Sequence, residues 1–428
     1  MNRGKNIVII GNGFDLMHDL DTSFKSFVEK TFDYKDKYIL ERIKREAIIF
    51  RIEELVSPKN NEDMIKKMII NEYINQVQGG NDWYDLETIL RDSMFYEYKH
   101  INDKYDRDGK DGKKKPLQYN KIIDRWREKL RRYLKEQENE NKNIKFNKIE
   151  AILQDADKII TFNYTDTLEK NYNVPSEKIN YFHGSINEDF VFGYSPDKVP
   201  KSGERSLNNL YDNDDYQYKS VNLSSDVRAE NPEEIHIDMI SPMKSIQRFI
   251  LWAKQSEEYK DLSKKELVEI FFPDVNNYDP QYRFFLELID DAFMMKNPFK
   301  PTDNIAEDPK GNIAGLRSKL KQNNNKSLDA LNAYFEDKQS LNIEEGDDVT
   351  ITIIGHDYAS DVDIKMFITE AVGCINRIDY YYFISEKDDG GLKEDSRREE
   401  IRKALAVQFG SYEDKIMTKK MNDLKGTT

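Results

Sequence analysis

Residues 158–195 read KIITFNYTDTLEKNYNVPSEKINYFHGSINEDFVFGYS, and the order of elements in that stretch decides the fold class. The β-branched run Lys158–Phe162 predicts a strand, and the polar residues after it a turn and a short helix. Lys178–Phe182 predicts a second strand and Phe190–Phe192 a third. Strand, helix and strand in that order form the unit of an open, parallel α/β sheet. Such sheets bind ligands in the crevice outside the carboxyl ends of their strands. Asn163 stands where the first of these strands ends and His183-Gly184 where the second ends. An amide and an imidazole are thereby delivered to the place where a nucleotide would lie.

The same pattern recurs at both ends of the chain. Ile7–Ile10 is a short β-branched run that stops at Gly11, followed by Asn12-Gly13-Phe14-Asp15 and a predicted helix with Phe24, Phe27 and Val28 on one side. Glycines between a strand and a helix let a backbone approach a phosphate, and the free N–H groups of the helix start favour an anion. The full dinucleotide fingerprint has a third glycine where this chain has Leu16, so a tight turn without a ligand fits the residues equally well. Near the other end, VTITII (349–354) runs into Gly355-His356-Asp357, and IDYYYFI (378–384) follows a predicted short helix. Strands at the start, middle and end of one chain imply a single sheet whose parts are remote in sequence.

The expected fold is therefore α/β, with a Rossmann-like, mostly parallel sheet and large α-helical inserts. Its discontinuous core takes in residues 1–34, 150–196 and 345–428. Residues 35–149 form one insert, with apolar residues at helical spacing (Ile39, Ile43, Ile48, Ile49, Ile52, then Trp83, Leu86, Ile89, Leu90). There Trp83 and Glu87 fall on one helix face, which reads as an amphipathic helix with a solvated Glu87. Residues 197–344 form the other insert: a polar, lid-like segment over 197–234, then helical spacing through Ile246, Phe249, Ile250 and Trp252.

Composition limits the function. The 428 residues carry 66 basic and 80 acidic side chains, a net charge of −14, which argues against nucleic acid as the main ligand. The most basic tract, Lys113–Lys115 with Arg125, Arg127, Arg131 and Arg132, reads as a solvated helix face. A single cysteine, Cys374, excludes a disulfide framework and a multi-cysteine zinc ribbon. The five histidines show no metal-ligand spacing, and the loop over 103–116 has Lys110 and Leu117 where calcium ligands belong, so no metal is expected. No apolar stretch is long enough to span a bilayer or to serve as a secretion signal, and a cytoplasmic protein without a membrane partner is expected.

Asn163 and His183 suit cleavage of the bond between a ribose and nicotinamide. The leaving group departs neutral from a cationic state, so no general acid is required. A neutral dipole near the anomeric carbon holds ribose or water, and a histidine takes up a proton. The alternative is structural, with Asn163 as a helix cap and His183 as a core histidine.

These residues also carry a resemblance. IIGNGFDL (9–16), WYDLE (83–87), TFNYTDTLE (161–169), FHG (182–184) with FGYS (192–195), and IIGH (353–356) running into SDVD (360–363) resemble the AbiH-type abortive-infection proteins of phage defence, which are in turn distantly similar to the sirtuin-like NAD-binding group. The resemblance implies NAD as substrate, Asn163 near the nicotinamide ribose and His183 as base. It further implies that Gly11, Asn12, Gly13, Phe14, Asp15, Thr161, Gly184, Gly355 and His356 line the nucleotide site. Two motifs depart from the sirtuin-like pattern: Thr165 stands where aspartate is common, and His356-Asp357 where serine is usual. The missing zinc ribbon argues against an acyl-lysine substrate. The activity expected is hydrolysis of NAD to ADP-ribose and nicotinamide, controlled by self-assembly, a defence-system partner or the 197–234 segment. A non-catalytic module sensing a nucleotide or a phage component is the alternative.

Overall fold

The computed structural model describes residues 4–55, 83–104, 117–194, 244–263, 347–356, 375–382 and 414–425, with scattered positions between them. The lid-like segment 197–234, the Lys113–Lys115 tract, Ser195, Asp357–Asp363 and the helical spacing beyond residue 267 lie outside the described residues.

In chain order the elements are β1 (Lys5–Ile10), α1 (Asn12–Met17), α2 (Phe24–Thr31), α3 (Tyr34–Leu55), α4 (Trp83–Lys104), α5 (Tyr119–Asn139), α6 (Asn147–Asp155), β2 (Lys158–Thr161), α7 (Thr167–Tyr172), β3 (Ile179–Tyr181), α8 (Lys244–Gln255), β4 (Val349–Ile354), β5 (Ile375–Tyr382), β6 (Ile416–Lys420) and α9 (Asn422–Lys425). All six strands lie in one sheet of order β3-β2-β1-β4-β5-β6, and every pair is parallel. The expected Rossmann-like sheet is thus present. Its order reverses direction between β1 and β4, the switch point where open α/β sheets form their ligand crevice.

Alternation along β1 shows why the strands read as unbroken apolar runs. Ile7 and Ile9 pack with Ile160, Ile351, Ile353 and Ile378 on one face. Val8 and Ile10 pack with Ile149, Leu153, Ile159 and Leu168 on the other. A parallel sheet covered on both faces needs apolar side chains at odd and even positions alike. Each fully buried isoleucine contributes roughly 1.5–3 kcal/mol.

A third core is built by the helices. Trp126, Leu130, Ile43, Phe50, Leu86, Leu90, Ile246 and Phe249 bury against one another and against the Ile186–Tyr194 segment. Arg125, Arg127 and Arg131 of α5 tie this core together instead of facing solvent as expected, whereas Arg132 is exposed. Arg125 reaches Asp33 and Asp36 at 2.8 and 3.0 Å. Arg127 donates to Gln247 at 3.1 Å. Glu87 is likewise no solvated carboxylate, since it pairs with the buried Lys244 of α8.

Three further expectations change on contact with the fold. The helix after the glycine turn is two helices, because Asp19 takes a left-handed φ of 62° and Ser23 caps α2 by accepting from the Ser26 N–H at 3.2 Å. Phe190–Phe192 is not a strand of the sheet. Phe190 makes one antiparallel bridge to Gly184 and then enters the helical core. β5 begins at Ile375, which pairs with Val349 across a bulge, so its first residues are more polar than the run that signals it. No helix among the described residues is long and apolar enough to cross a membrane.

Candidate functional site

The carboxyl ends of β1 and β4 are stitched together backbone to backbone. The Gly11 N–H donates to the Ile354 carbonyl at 3.0 Å, the Gly13 N–H to Gly355 at 2.7 Å and the Phe14 N–H to Gly11 at 2.9 Å. A Cβ on Gly11 would meet the His356 Cα at 2.5 Å, and one on Gly355, whose φ is +66°, would meet the Phe14 nitrogen at 2.3 Å. The glycines therefore serve the contact of two turns. Three N–H groups expected to be free for an anion are spent on carbonyls.

Asn163 enters this junction from β2. Its Nδ2 donates to the Gly11 carbonyl at 3.0 Å, and its own N–H donates to the Thr161 hydroxyl at 3.1 Å. Below it lies Asp15, only 2% exposed. The Asp15 carboxylate accepts from the Thr165 and Thr167 hydroxyls at 2.8 and 3.0 Å. A carboxylate, two hydroxyls and an amide thus lock the β1 turn to the start of α7. Asn12 is occupied nearby, its Oδ1 accepting from the Thr22 hydroxyl at 2.6 Å. The Phe14 ring turns into the core against His18 and Tyr172. His18 is structural, with ring nitrogens at 2.6 Å from both the Phe14 carbonyl and the Tyr172 hydroxyl.

Burial pushes the Asp15 carboxyl up to about 6, against the lowering effect of the two threonine hydroxyls and Asn163. A carboxyl whose folded pKa is raised stabilises the fold while it is protonated. That contribution is complete below the unfolded value near 3.8 and is lost as pH rises to about 6. At about 1.4 kcal/mol per pKa unit the loss is ~3 kcal/mol. Asp15→Asn cannot titrate, so its stability relative to the parent should improve by most of that amount between pH 4 and pH 7. Urea midpoints at a series of pH values check this, and a difference that stays flat with pH contradicts it.

His183, at the end of β3, is 4% exposed. Its ring lies 5.2 Å from that of Phe162, and the His356 ring lies 4.4 Å from the same Phe162 ring. Phe162 thus contacts two imidazoles, one from just after β3 and one from the turn after β4. Phe182 packs on Phe162 at 5.1 Å, and the Arg248 guanidinium of α8 sits 4.3 Å over the Phe182 ring. The Tyr380 hydroxyl holds the His356 carbonyl at 2.7 Å. Among the described residues no group of three or more His, Cys, Asp or Glu side chains is placed to hold a metal ion.

The structure brings Gly11, Asn163, Thr161, Asp15, Gly355 and His356 into one connected cluster, with His183 joined to it through Phe162. The sequence does not mark Thr165, Thr167 or Arg248 as members of the site. The two threonines flanking Asp166 in TDT are the available signal, since hydroxyls spaced two apart before a helix can both reach one acceptor.

Fold and site define an open, parallel α/β protein with a buried polar, histidine-bearing cluster at the carboxyl ends of its strands, elaborated by helical inserts. The family model described as "Bacteriophage abortive infection AbiH" matches residues 7–376, most of the chain. The chain belongs to the AbiH family, and with it to anti-phage defence by abortive infection. No curated protein and no solved structure gave a significant match.

Proposed function

We propose that this chain hydrolyses NAD to ADP-ribose and nicotinamide, and that the loss of NAD is its output in abortive infection. The observation that carries the reading is that His183 and His356 both contact the ring of Phe162, the residue before Asn163, while Asn163 bonds the Gly11 carbonyl, all at the carboxyl ends of β1 to β4. The bond between ribose C1′ and the pyridinium nitrogen breaks, and its electron pair leaves with nicotinamide. Water adds to C1′, and its proton passes to the His183 imidazole. Asn163 is held by its amide N–H on the Gly11 carbonyl, and its own carbonyl oxygen takes a ribose hydroxyl or the water. The Gly11–Asp15 turn walls the crevice, and Gly355 and His356 close the adenosine side.

Chromatography of NAD incubated with the pure protein, with and without phage lysate, tests the reading. Equal amounts of ADP-ribose and nicotinamide are expected. NAD that binds but is recovered intact would mark a nucleotide-sensing module instead, and NAD that neither binds nor reacts would remove both.

A further inference from the structure

The segment that follows His183 is irregular backbone, and its polar groups need partners from elsewhere. Gly184 takes a φ of +78°, which turns the chain back so that the Val191 N–H donates to the His183 carbonyl at 2.7 Å. The Ile186 N–H donates to the Tyr164 carbonyl at 2.9 Å, and the Tyr164 hydroxyl donates to the Val191 carbonyl at 2.8 Å. His183 is therefore fixed through Val191, and Val191 through the course of residues 186–190.

What fixes those residues is a side chain from the helical insert. Arg131 of α5 donates from Nη1 to the carbonyls of Ile186 and Glu188 at 3.2 and 2.5 Å. Its Nη2 reaches Asp189 Oδ1 at 3.2 Å, and its guanidinium lies 4.9 Å over the Phe190 ring. Two carbonyls, one carboxylate and one aromatic face make a site that a planar fork satisfies and an ammonium does not. Beyond it, Gln247 of α8 bonds both the N–H and the carbonyl of Phe192, at 3.1 and 2.9 Å. The insert thus grips this segment at successive points.

We propose that Arg131 is a positioning residue for His183: by clamping the 186–190 turn from α5, it seats the imidazole at the end of β3. This deepens the NAD-cleaving reading and rests on it for its consequence in turnover. A displacement of about an ångström at a catalytic group can cost 10²-fold in rate. Arg131→Gln should therefore lower kcat roughly 10–100-fold while leaving KM within about twofold. Arg131→Lys, which keeps the charge without the fork, should fall in between.

The deciding measurement is independent of turnover. The His183 imidazole signal, assigned by its loss in His183→Gln, is followed by NMR in the full chain. Displacement or broadening is expected in Arg131→Gln, less in Arg131→Lys, with the His18 signal unmoved. An unchanged His183 signal in both variants overturns the proposal. If the parent leaves NAD intact, the NAD reading fails by itself, and the His183 signal still decides for or against Arg131. Should Arg131→Gln not fold, the Lys variant carries the same comparison.

Discussion

His183→Gln is expected to lower NAD cleavage about 10²–10⁴-fold, the usual worth of a positioned general base. The loss should fall on kcat, because in this reading the imidazole acts on a proton that moves only as water adds to the sugar. Glutamine approximates the volume of histidine and retains a hydrogen-bonding end, so the 4%-exposed position stays filled and the fold should survive. Asn163→Ala should cost as much. It also removes the bond to the Gly11 carbonyl, so its melting profile has to be compared with the parent's. The double variant is the more telling one. Two groups acting on one ribose in one step lose little more together than the worse of them alone. Full multiplication of the two losses would mean that they act separately, and a His183→Gln enzyme within twofold of the parent would sink the assignment outright.

Gly355→Val is expected to have the largest effect on stability. A side chain at a φ of +66° costs about 1–2 kcal/mol in backbone strain. Steric overlap costs more. The new Cβ would lie 2.3 Å from the Phe14 nitrogen and 2.6 Å from the Gly13 carbonyl carbon, both main-chain atoms that cannot rotate away. The turns after β1 and β4 would have to separate, breaking the Gly13 N–H bond to the Gly355 carbonyl. A loss above about 4 kcal/mol follows, a large part of the total stability of a domain. Gly4→Ala is the control, since its Cβ would meet nothing closer than the Asp348 carbonyl at 3.4 Å. Denaturant unfolding should show the first variant unfolded or nearly so and the second close to the parent. A Gly355→Val protein of parental stability would mean that the two turns are not joined as described.

The parts of this fold that the sequence announces are those governed by short-range rules. VTITII is a β-branched run, apolar at 349, 351 and 353 on one face, and β4 covers that run, Val349–Ile354. The run before Asn163 ends its strand at Thr161, one residue before the predicted bound. By contrast β6, with the sequence IMTKK, has no apolar run to reveal it, because an edge strand pairs on one side only and tolerates lysines. The site is legible in the same uneven way. Asn163, His183 and the glycines mark themselves by standing at strand ends. The bond from Thr165 to Asp15 joins residues 150 apart, and no local rule reports it. Glu87 reads as solvated for the same reason, since Lys244 belongs to a different insert.

The order of the strands also bears on how the molecule is made. β1 pairs on one side with β2, where Ile7 lies opposite Lys158, and on the other with β4, where Lys5 lies opposite Val349. The amino-terminal strand is synthesised first, yet its second neighbour leaves the ribosome only after most of the polypeptide. Long-range parallel pairing is slow even in a finished chain. A nascent or prematurely terminated product therefore holds Asn163 and His183 with no β4 turn to stand against. On the proposed activity, a host that keeps a lethal enzyme in reserve is thereby spared its half-made copies.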